Sequence, residues 1–355
     1  MRYAFYITNH GFGHASRNVS VILQLLKKCP DSMVYIKTDS VRCDFLKRNL
    51  FQICDHIFYY DDCNENGLIL EKGKMSPNLS EMEQMIRKDF TQWRFYIARE
   101  ARFLMDNKID IVISDIIPWA LKAAKACNIP CLLIGNFTWS EMYKSYYGRE
   151  IWGPYEECYR MADKAVWYEI HAKELHEYCK DYECVSMVSR SVDETEAEKI
   201  RNKFSKEIVF VSLGGSAEIG RPIHVGHLPY EFLVTRGLKM EGDNVHLLPE
   251  NMVNTPDYIA ACDYVIAKGG WSTVAEVLLQ RKKCALLFRG ENSEDRNTKM
   301  VLEDRQQCVG LNGDELTDLG SVIDGIKRLN PDSYDIYHND TEKICRIIMK
   351  TAGID

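Results

Sequence analysis

The stretch Asp263 to Glu276, Asp-Tyr-Val-Ile-Ala-Lys-Gly-Gly-Trp-Ser-Thr-Val-Ala-Glu, constrains the fold more than any other. Asp263 to Ala267 is a short apolar run of the kind that forms a buried parallel strand. Gly269 and Gly270 follow, and Ser272 and Thr273 stand where a helix would be capped. A strand, a glycine turn and a helix start aim backbone N–H groups and the positive end of a helix dipole, with Trp271, at one spot. That arrangement suits a phosphate or diphosphate. Lys268 adds a full charge at the strand tip. Glu276 lies one helical turn beyond Ser272, so its carboxylate points back to the same mouth. A carboxylate is badly placed there for phosphate and well placed for a pair of sugar hydroxyls. The set reads as phosphate plus ribose, hence a nucleotide. A glycine pair after a strand also serves tight strand–helix packing, and spacing alone leaves both readings open.

The same alternation runs along the whole chain. Arg2 to Thr8, Met33 to Lys37, His56 to Tyr59, Ile109 to Ser114 and Cys131 to Gly135 read as strands. Helical periodicity follows to about Lys28, from Val41 to Leu50 and from Glu81 to Asp106, the last carrying aromatics expected in the core. The polar region Asp61 to Ser80 reads as a mobile loop. A short strand near Val185 to Val188 ends the first half, and the charged stretch Ser191 to Lys206 reads as a helical linker. Alternation restarts with Ile208 to Leu213, which runs into Gly214-Gly215-Ser216. Strands then follow at Phe232 to Thr235, Val245 to Leu248, Tyr264 to Ala267 and Cys284 to Phe288. Helices lie near Pro256 to Cys262, Thr273 to Gln280, Ser293 to Asp304, Leu319 to Leu329 and Asp340 to Thr351. Strands alternating with helices give parallel sheets. The 355 residues therefore divide into an N-terminal α/β domain (1–190), a linker (191–206), a second α/β domain (207–339) and a C-terminal helix (340–355). Two doubly wound, Rossmann-like halves facing each other would bind a ligand at the C-terminal ends of their strands.

Charge and composition remove other classes. A net charge of −7 without a basic block argues against nucleic-acid binding. The most apolar region, Ile109 to Phe137, is cut by Asp115, Pro118, Lys122, Lys125 and Pro130, so no transmembrane segment is expected; peripheral membrane contact stays open. Met1 leads straight into an apolar strand, so no signal peptide is expected. Thirteen cysteines without a CxxC pair point to reduced thiols in a cytoplasmic compartment. The same spacings, and His171 and His176 five residues apart, give no expectation of a metal; these histidines read as solvated.

The first turn, His10-Gly-Phe-Gly-His14, carries the other chemistry. Gly11 and Gly13 let the backbone turn sharply at the tip of the first strand. His14 stands at the start of the following helix, where the dipole disfavours imidazolium and keeps a neutral base. Such a base contributes roughly 10²–10⁴-fold by taking a proton from an acceptor hydroxyl. His10 competes for the role, and capping or packing is the structural alternative. Asp115, at another strand tip, is the natural partner for the histidine Nδ1–H. It equally suits an N-cap ahead of Pro118.

Lys268-Gly-Gly-Trp-Ser-Thr-x-x-Glu276 resembles the donor-binding signature of nucleotide-sugar glycosyltransferases of the two-Rossmann, or GT-B, type. So do His10-Gly-Phe-Gly-His-Ala-Ser-Arg17, Val112-Ile-Ser-Asp115-Ile-Ile-Pro-Trp119 and Asn136-Phe-Thr-Trp139. With Thr255-Pro-Asp-Tyr-Ile-Ala-Ala-Cys-Asp263 these blocks are similar to the glycosyltransferase-like N-terminal part of plant L-arabinokinases. The resemblance covers most of residues 1–310. The glycine/serine-rich phosphate loop of the sugar-kinase half is missing, so kinase activity is not implied. The resemblance implies an inverting transfer from a nucleotide-diphosphate sugar, a UDP-sugar first of all, to an acceptor hydroxyl, with no cofactor and no metal. It places Gly214, Gly215 and Ser216 at the diphosphate beside Gly11, Gly13 and the Lys268–Thr273 turn. It sets Val245, His246 and Leu248 along the base, Glu276 on the ribose, and Asp295 and Asn297 on sugar hydroxyls. Asp295 and Asn297 also read as helix capping, and His224 and His227 read as loop histidines or phosphate contacts. A sugar-nucleotide epimerase of the same fold and a non-catalytic nucleotide-sugar-binding protein are the rival readings; the first needs converging carboxylates, the second shows no turnover.

Overall fold

A computed structural model describes residues 1–63, 65, 67–71, 76–213, 222–249, 252, 254–289 and 292–354. The chain forms two compact units: residues 1–69, 77–188 and 339–355 in one, and 70–76 and 189–338 in the other.

The first unit is built on seven strands: β1 (Arg2–Ile7), β2 (Met33–Lys37), β3 (Ile57–Tyr60), β4 (Ile111–Asp115), β5 (Cys131–Gly135), β6 (Lys164–Tyr168) and β7 (Tyr182–Val185). All pair in parallel, in the order β3-β2-β1-β4-β5-β6-β7. Every residue of β4 and β5 is buried, which is why they read as unbroken apolar runs. Each such Val, Leu or Ile contributes about 1.5–3 kcal/mol by leaving water. Helices α1 (Gly13–Lys28), α2 (Ser40–Asn49), α3 (Leu79–Asp106), α4 (Pro118–Ala126), α5 (Trp139–Lys144) and α6 (Arg149–Tyr159) accompany the strands. The strand order reverses between β1 and β4, where Ile7 pairs with Asp115. The chain leaves β1 and β4 on the same rim there, the usual ligand crevice of a doubly wound sheet.

The second unit repeats the plan. After α7 (Glu194–Arg201) come β8 (Ile208–Ser212), β9 (Ile223–His224), β10 (Glu231–Val234), β11 (Met240–Glu241), β12 (Val245–Leu247), α8 (Thr255–Ala261) and β13 (Tyr264–Lys268). Then follow α9 (Trp271–Leu279), β14 (Lys283–Leu287), α10 (Ser293–Asp304), β15 (Val309–Leu311) and α11 (Leu319–Lys327). Six strands run parallel in the order β12-β10-β8-β13-β14-β15, with β9 and β11 as a separate pair. The reversal lies between β8 and β13, so Lys268 stands at this unit's own switch point.

The two doubly wound sheets and nearly all the expected elements are present, and α10 has the expected bounds. Three segments differ. The stretch 191–206 is not a linker: α7, capped by Asp193, belongs to the second unit, where the Asp193 amide bonds the Asp257 carboxylate of α8 at 2.8 Å. The C-terminal helix α12 (Thr341–Thr351) is not a separate element but part of the first unit. It buries Ile344, Cys345, Ile347 and Ile348, and the Cys345 thiol meets the Val21 carbonyl of α1 at 3.5 Å. The region 61–80, polar as it is, is not all on the surface: the Cys63 amide bonds the Thr38 carbonyl and Glu65 is buried. Strand β6 escapes the apolar-run pattern because it mixes Lys164 with aromatics, and β15 because it has only three residues. Of the α3 aromatics Trp93 is buried, whereas Phe95 is 62% exposed. No helix among the described residues is long and apolar enough to cross a membrane.

Candidate active site

In the first unit the chain leaves β1 through Gly11, whose φ of +78° is one that side chains rarely adopt. Phe12 is the N-cap of α1, and Gly13 and His14 open the helix. His14 is buried, 6% exposed, with Nδ1 2.8 Å from Asp115 Oδ1. The expected histidine–carboxylate pair is therefore formed. Asp115 caps nothing: α4 starts after Ile117, with Pro118 at its first position and no side-chain cap.

Asp115 also binds partners that sequence reasoning missed. Arg17, one turn along α1, donates Nε–H to Oδ2 at 2.9 Å and Nη2–H to Oδ1 at 2.5 Å, and Asn18 donates to Oδ2 at 2.6 Å. The other guanidinium nitrogen donates to Asn136 Oδ1 at 2.9 Å, and the group lies 4.8 Å from the Tyr168 ring centre. Arg17, Asp115 and Asn136 come from the three N-terminal blocks that carried the resemblance, and Arg17 joins the other two, donating to the Asp115 carboxylate and to the Asn136 amide oxygen. Burial pushes the Asp115 carboxyl up, but Arg17 and then His14 outweigh it and hold the group well below the usual carboxylate range. Arg17 Nη2 also lies 2.8 Å from His14 Nδ1. The carboxylate contact requires Nδ1–H to donate to Asp115, since a ring lone pair facing a carboxylate oxygen would be repulsive; the Arg17 Nη2 contact is then a close approach of two donors to the same carboxylate oxygen and not a hydrogen bond. Nε2 of His14 then carries the lone pair.

Backbone strain sits beside this cluster. Ile116 has φ of +60°, an outlier for a β-branched residue, and Gly135 makes room for it: a Cβ there would lie 2.9 Å from Ile116 Cγ2. His10 occupies a different niche. Its ring meets Trp139 edge-on at 5.1 Å, and Gly67 presses so close that a Cβ would come within 2.8 Å of Nδ1. Glu65, also unforeseen, is buried beside it and accepts the Thr8 hydroxyl at 2.5 Å. Burial, outweighing the Thr8 bond, pushes the Glu65 carboxyl well up, toward the neutral acid.

In the second unit Lys268 ends β13, and Gly269 still bonds the Leu287 carbonyl at 2.8 Å. A side chain at Gly269 would collide with the Phe288 ring at 2.3 Å, so this glycine serves close packing. Gly270, whose missing Cβ would face open space, is the N-cap of α9. Ser272 and Thr273 are thus inside the first turn, with buried Trp271, rather than capping it; the chain enters the helix one turn position earlier because Gly270 takes the extended cap conformation. The helical ladder starts at Val274 N–H to the Gly270 carbonyl, placing the positive end of the dipole next to Lys268.

Burial, reinforced by Arg289, pushes the Lys268 ammonium down to about 8. Arg289 just follows β14 and was not foreseen. Asp295, in the first turn of α10, holds it through two parallel bonds of 3.0 and 3.1 Å and is itself buried. Asp295 is therefore a clamp on Arg289, and the capping residue is Asn292. Asn297 lies half-buried in α10. Glu276 is 5% exposed, with Thr255 Oγ1 at 2.9 Å and Arg190 Nη2 at 3.4 Å. Val245 begins β12 and Leu248 follows its end, but His246 turns the other way: its Nε2 lies 2.8 Å from Glu231 at the N-terminal end of β10 and its ring packs at a tilt against Phe204, centres 4.7 Å apart. A carboxylate at that rim draws the ring away from the strand C-termini. His227 is exposed in a loop, whereas His224, also exposed, ends β9 with Nδ1 3.2 Å from Glu241 of β11. Gly214, Gly215 and Ser216 lie outside the described residues.

His171 and His176 are not simply solvated. Their Nε2 atoms are 2.8 Å apart, and Cys184 Sγ lies 4.0 and 3.8 Å from them. Helical and CxxC spacings cannot reveal this group, because the chain doubles back between β6 and β7 to assemble it.

No family model matches the chain. It is 25% identical over 321 residues to L-arabinokinase of Arabidopsis thaliana, covering 85% of this chain and 29% of that protein; it thus spans less than a third of that relative's length. Among solved structures, Arabidopsis thaliana UGT89C1 complexed with quercetin aligns at a TM-score of 0.67, 12% identical over 99% of each chain. The same protein complexed with UDP aligns at 0.61, 11% identical, over 98% of this chain and 94% of that one. The glycosyltransferase SnogD from Streptomyces nogalater aligns at 0.61, 13% identical, over 99% of each. With two parallel sheets, each reversing its strand order at the positions described, the chain has the two-domain GT-B fold of these glycosyltransferases.

Proposed function

We propose that the protein is a glycosyltransferase that moves a sugar from a nucleotide-diphosphate sugar, of the UDP type, to an acceptor hydroxyl with inversion. The observation that carries this reading is the His14 Nδ1 to Asp115 Oδ1 bond of 2.8 Å at the first switch point. With that bond fixing the tautomer, His14 Nε2 takes the acceptor proton as the hydroxyl attacks the anomeric carbon. Arg17 and Asn18 hold Asp115 as the anion, so the imidazolium that forms keeps a charged partner. In the second unit Lys268 and Arg289, with the dipole of α9, supply the positive charge that a leaving diphosphate needs. Glu276, already engaged by Thr255, serves the ribose hydroxyls. The structural relative UGT89C1 is complexed with UDP in one structure and with quercetin in another, which supports the division into donor and acceptor.

The test is a thermal-shift panel of UDP, GDP, dTDP and ADP and their sugar conjugates, followed by assays of transfer and hydrolysis. A ligand present at 100 times its Kd stabilises the folded state by about 2.7 kcal/mol. A shift with one diphosphate, reduced by Glu276→Ala, and turnover of its sugar conjugate are expected. Absence of a shift with every nucleotide would remove the reading; a shift without hydrolysis or transfer to any hydroxyl would leave a binding protein.

Lys268 makes the donor site pH-dependent. Its ammonium is half-titrated at about pH 8, so above that pH a diphosphate meets a neutral amine. Nucleotide-diphosphate affinity is expected to be level below pH 7 and to fall above pH 8, by up to about tenfold per pH unit if one proton is taken up on binding. Lys268→Met should weaken binding at pH 7 and flatten that profile; an unchanged slope in the variant would exclude this assignment.

A further inference from the structure

We propose that His171, His176 and Cys184 form a zinc site on the edge of the first unit's sheet. The three residues come from consecutive but different elements. His171 follows β6, His176 sits in a short 3-10 helix (Lys173–Glu177), and Cys184 lies in the edge strand β7. One ligand atom of each falls within 4.8 Å of the others.

Both imidazoles are held in place. His171 Nδ1 lies 2.7 Å from the Tyr168 carbonyl, so it must be the protonated nitrogen and Nε2 faces the cluster with its lone pair. A metal-bound histidine is typically oriented by such a backbone acceptor on its other nitrogen. The turn that delivers the ring passes through Ile170 at φ +62°, the second β-branched residue of this chain held in a left-handed conformation. His176 stacks on Tyr182, ring centres 4.3 Å apart and 20° from coplanar.

The distances suit zinc closely. With Zn–N of about 2.0–2.1 Å and Zn–S of about 2.3 Å, tetrahedral geometry separates two nitrogens by about 3.4 Å and nitrogen from sulfur by about 3.6 Å. The observed Nε2–Nε2 separation is 2.8 Å and the Nε2–Sγ separations are 4.0 and 3.8 Å. Shifts of about half an ångström, within side-chain rotations, reach the ideal. Without metal the short contact is a hydrogen bond from His176 Nε2–H to His171 Nε2. Zinc enters as the thiol releases its proton to solvent and His176 moves its own proton from Nε2 to Nδ1; two neutral imidazoles and one thiolate then hold the ion. Two imidazoles and a thiolate select zinc over the oxygen-seeking magnesium or calcium. The Glu169 carboxylate bears electrostatically on both His171 and Cys184, and the Lys343 ammonium, which donates to the Cys184 carbonyl at 2.8 Å, favours the Cys184 thiolate. The ion would tie β7, which has a strand neighbour on one side only, to the end of β6.

The full chain, stripped with a chelator and titrated with cobalt(II) as a spectroscopic stand-in, tests this. One equivalent is expected to bind with the intense visible bands of a tetrahedral ion and a near-ultraviolet thiolate-to-cobalt band, both abolished by stoichiometric zinc. Cys184→Ser should remove the thiolate band, and His176→Gln should weaken binding at least tenfold. Zinc should also slow amide exchange in β7. His176 is half-buried and Cys184 exposed, and far-ultraviolet circular dichroism checks that both variants fold. Failure of cobalt to bind, or binding without a thiolate band and unaltered in both variants, would overturn the site and leave a hydrogen-bonded histidine pair.

Discussion

Asp115→Ala is expected to destabilise the protein by about 3–5 kcal/mol, the usual cost of removing one partner from a buried ion pair. Arg17 and Asp115 side chains are each 1% exposed, so alanine would leave a guanidinium and the Asn18 amide facing a dry void without the carboxylate that binds both. The adjacent Asn136 cannot take over, because its oxygen already accepts from Arg17. Asp115→Asn keeps the shape but not the charge and should cost less. Urea denaturation of the three proteins measures this, and a loss under about 1 kcal/mol for the alanine variant would show that the cluster relaxes. The sign with pH follows from the depressed carboxyl. Its stabilisation is complete above the unfolded carboxylate range, near pH 4, and is lost on acidification below it. The wild type should therefore lose part of its advantage over Asp115→Asn below about pH 4.

His14→Ala is expected to lower turnover by about 10²–10⁴-fold while leaving nucleotide-diphosphate affinity within a factor of about two. The asymmetry is the informative part. His14 is on the first unit's switch point, whereas Lys268 and Glu276 belong to the second, so a base should affect kcat and not donor binding. His10→Ala should cost far less, since the His10 ring is packed against Trp139 and Gly67 rather than bonded to Asp115. Steady-state kinetics with saturating donor decide it. Turnover of His14→Ala within tenfold of wild type, or a larger loss in His10→Ala, would move the base elsewhere.

Most of the architecture was legible because buried parallel strands leave unbroken apolar runs, as β1, β4 and β5 do. The His14–Asp115 pair was legible for a related reason: both residues follow glycine-bearing or strand-tip positions that the doubly wound plan brings together. The partners of Asp115 were not. Arg17 entered only as the last residue of a resembling block and Asn18 carried no reading, because only the register of β1 against β4 shows that this face of α1 looks at a carboxylate. Asp295 illustrates the opposite error. Its position at a helix start was legible, but its occupation by Arg289 depends on where β14 ends. His246 shows why strand position alone does not locate a side chain, since Glu231 on the neighbouring strand decides which rim it reaches.

The docking of α12 on α1 has a consequence for how the chain is made. The first unit's final helix is separated from the rest of that unit by the 150 residues from 189 to 338. During synthesis the face of α1 around Val21 and Ile22 must wait, uncovered, until the whole second unit has emerged. A chain stopped near residue 338 would contain both sheets but retain that open seam, and would be a substrate for chaperones rather than a shorter version of the same fold.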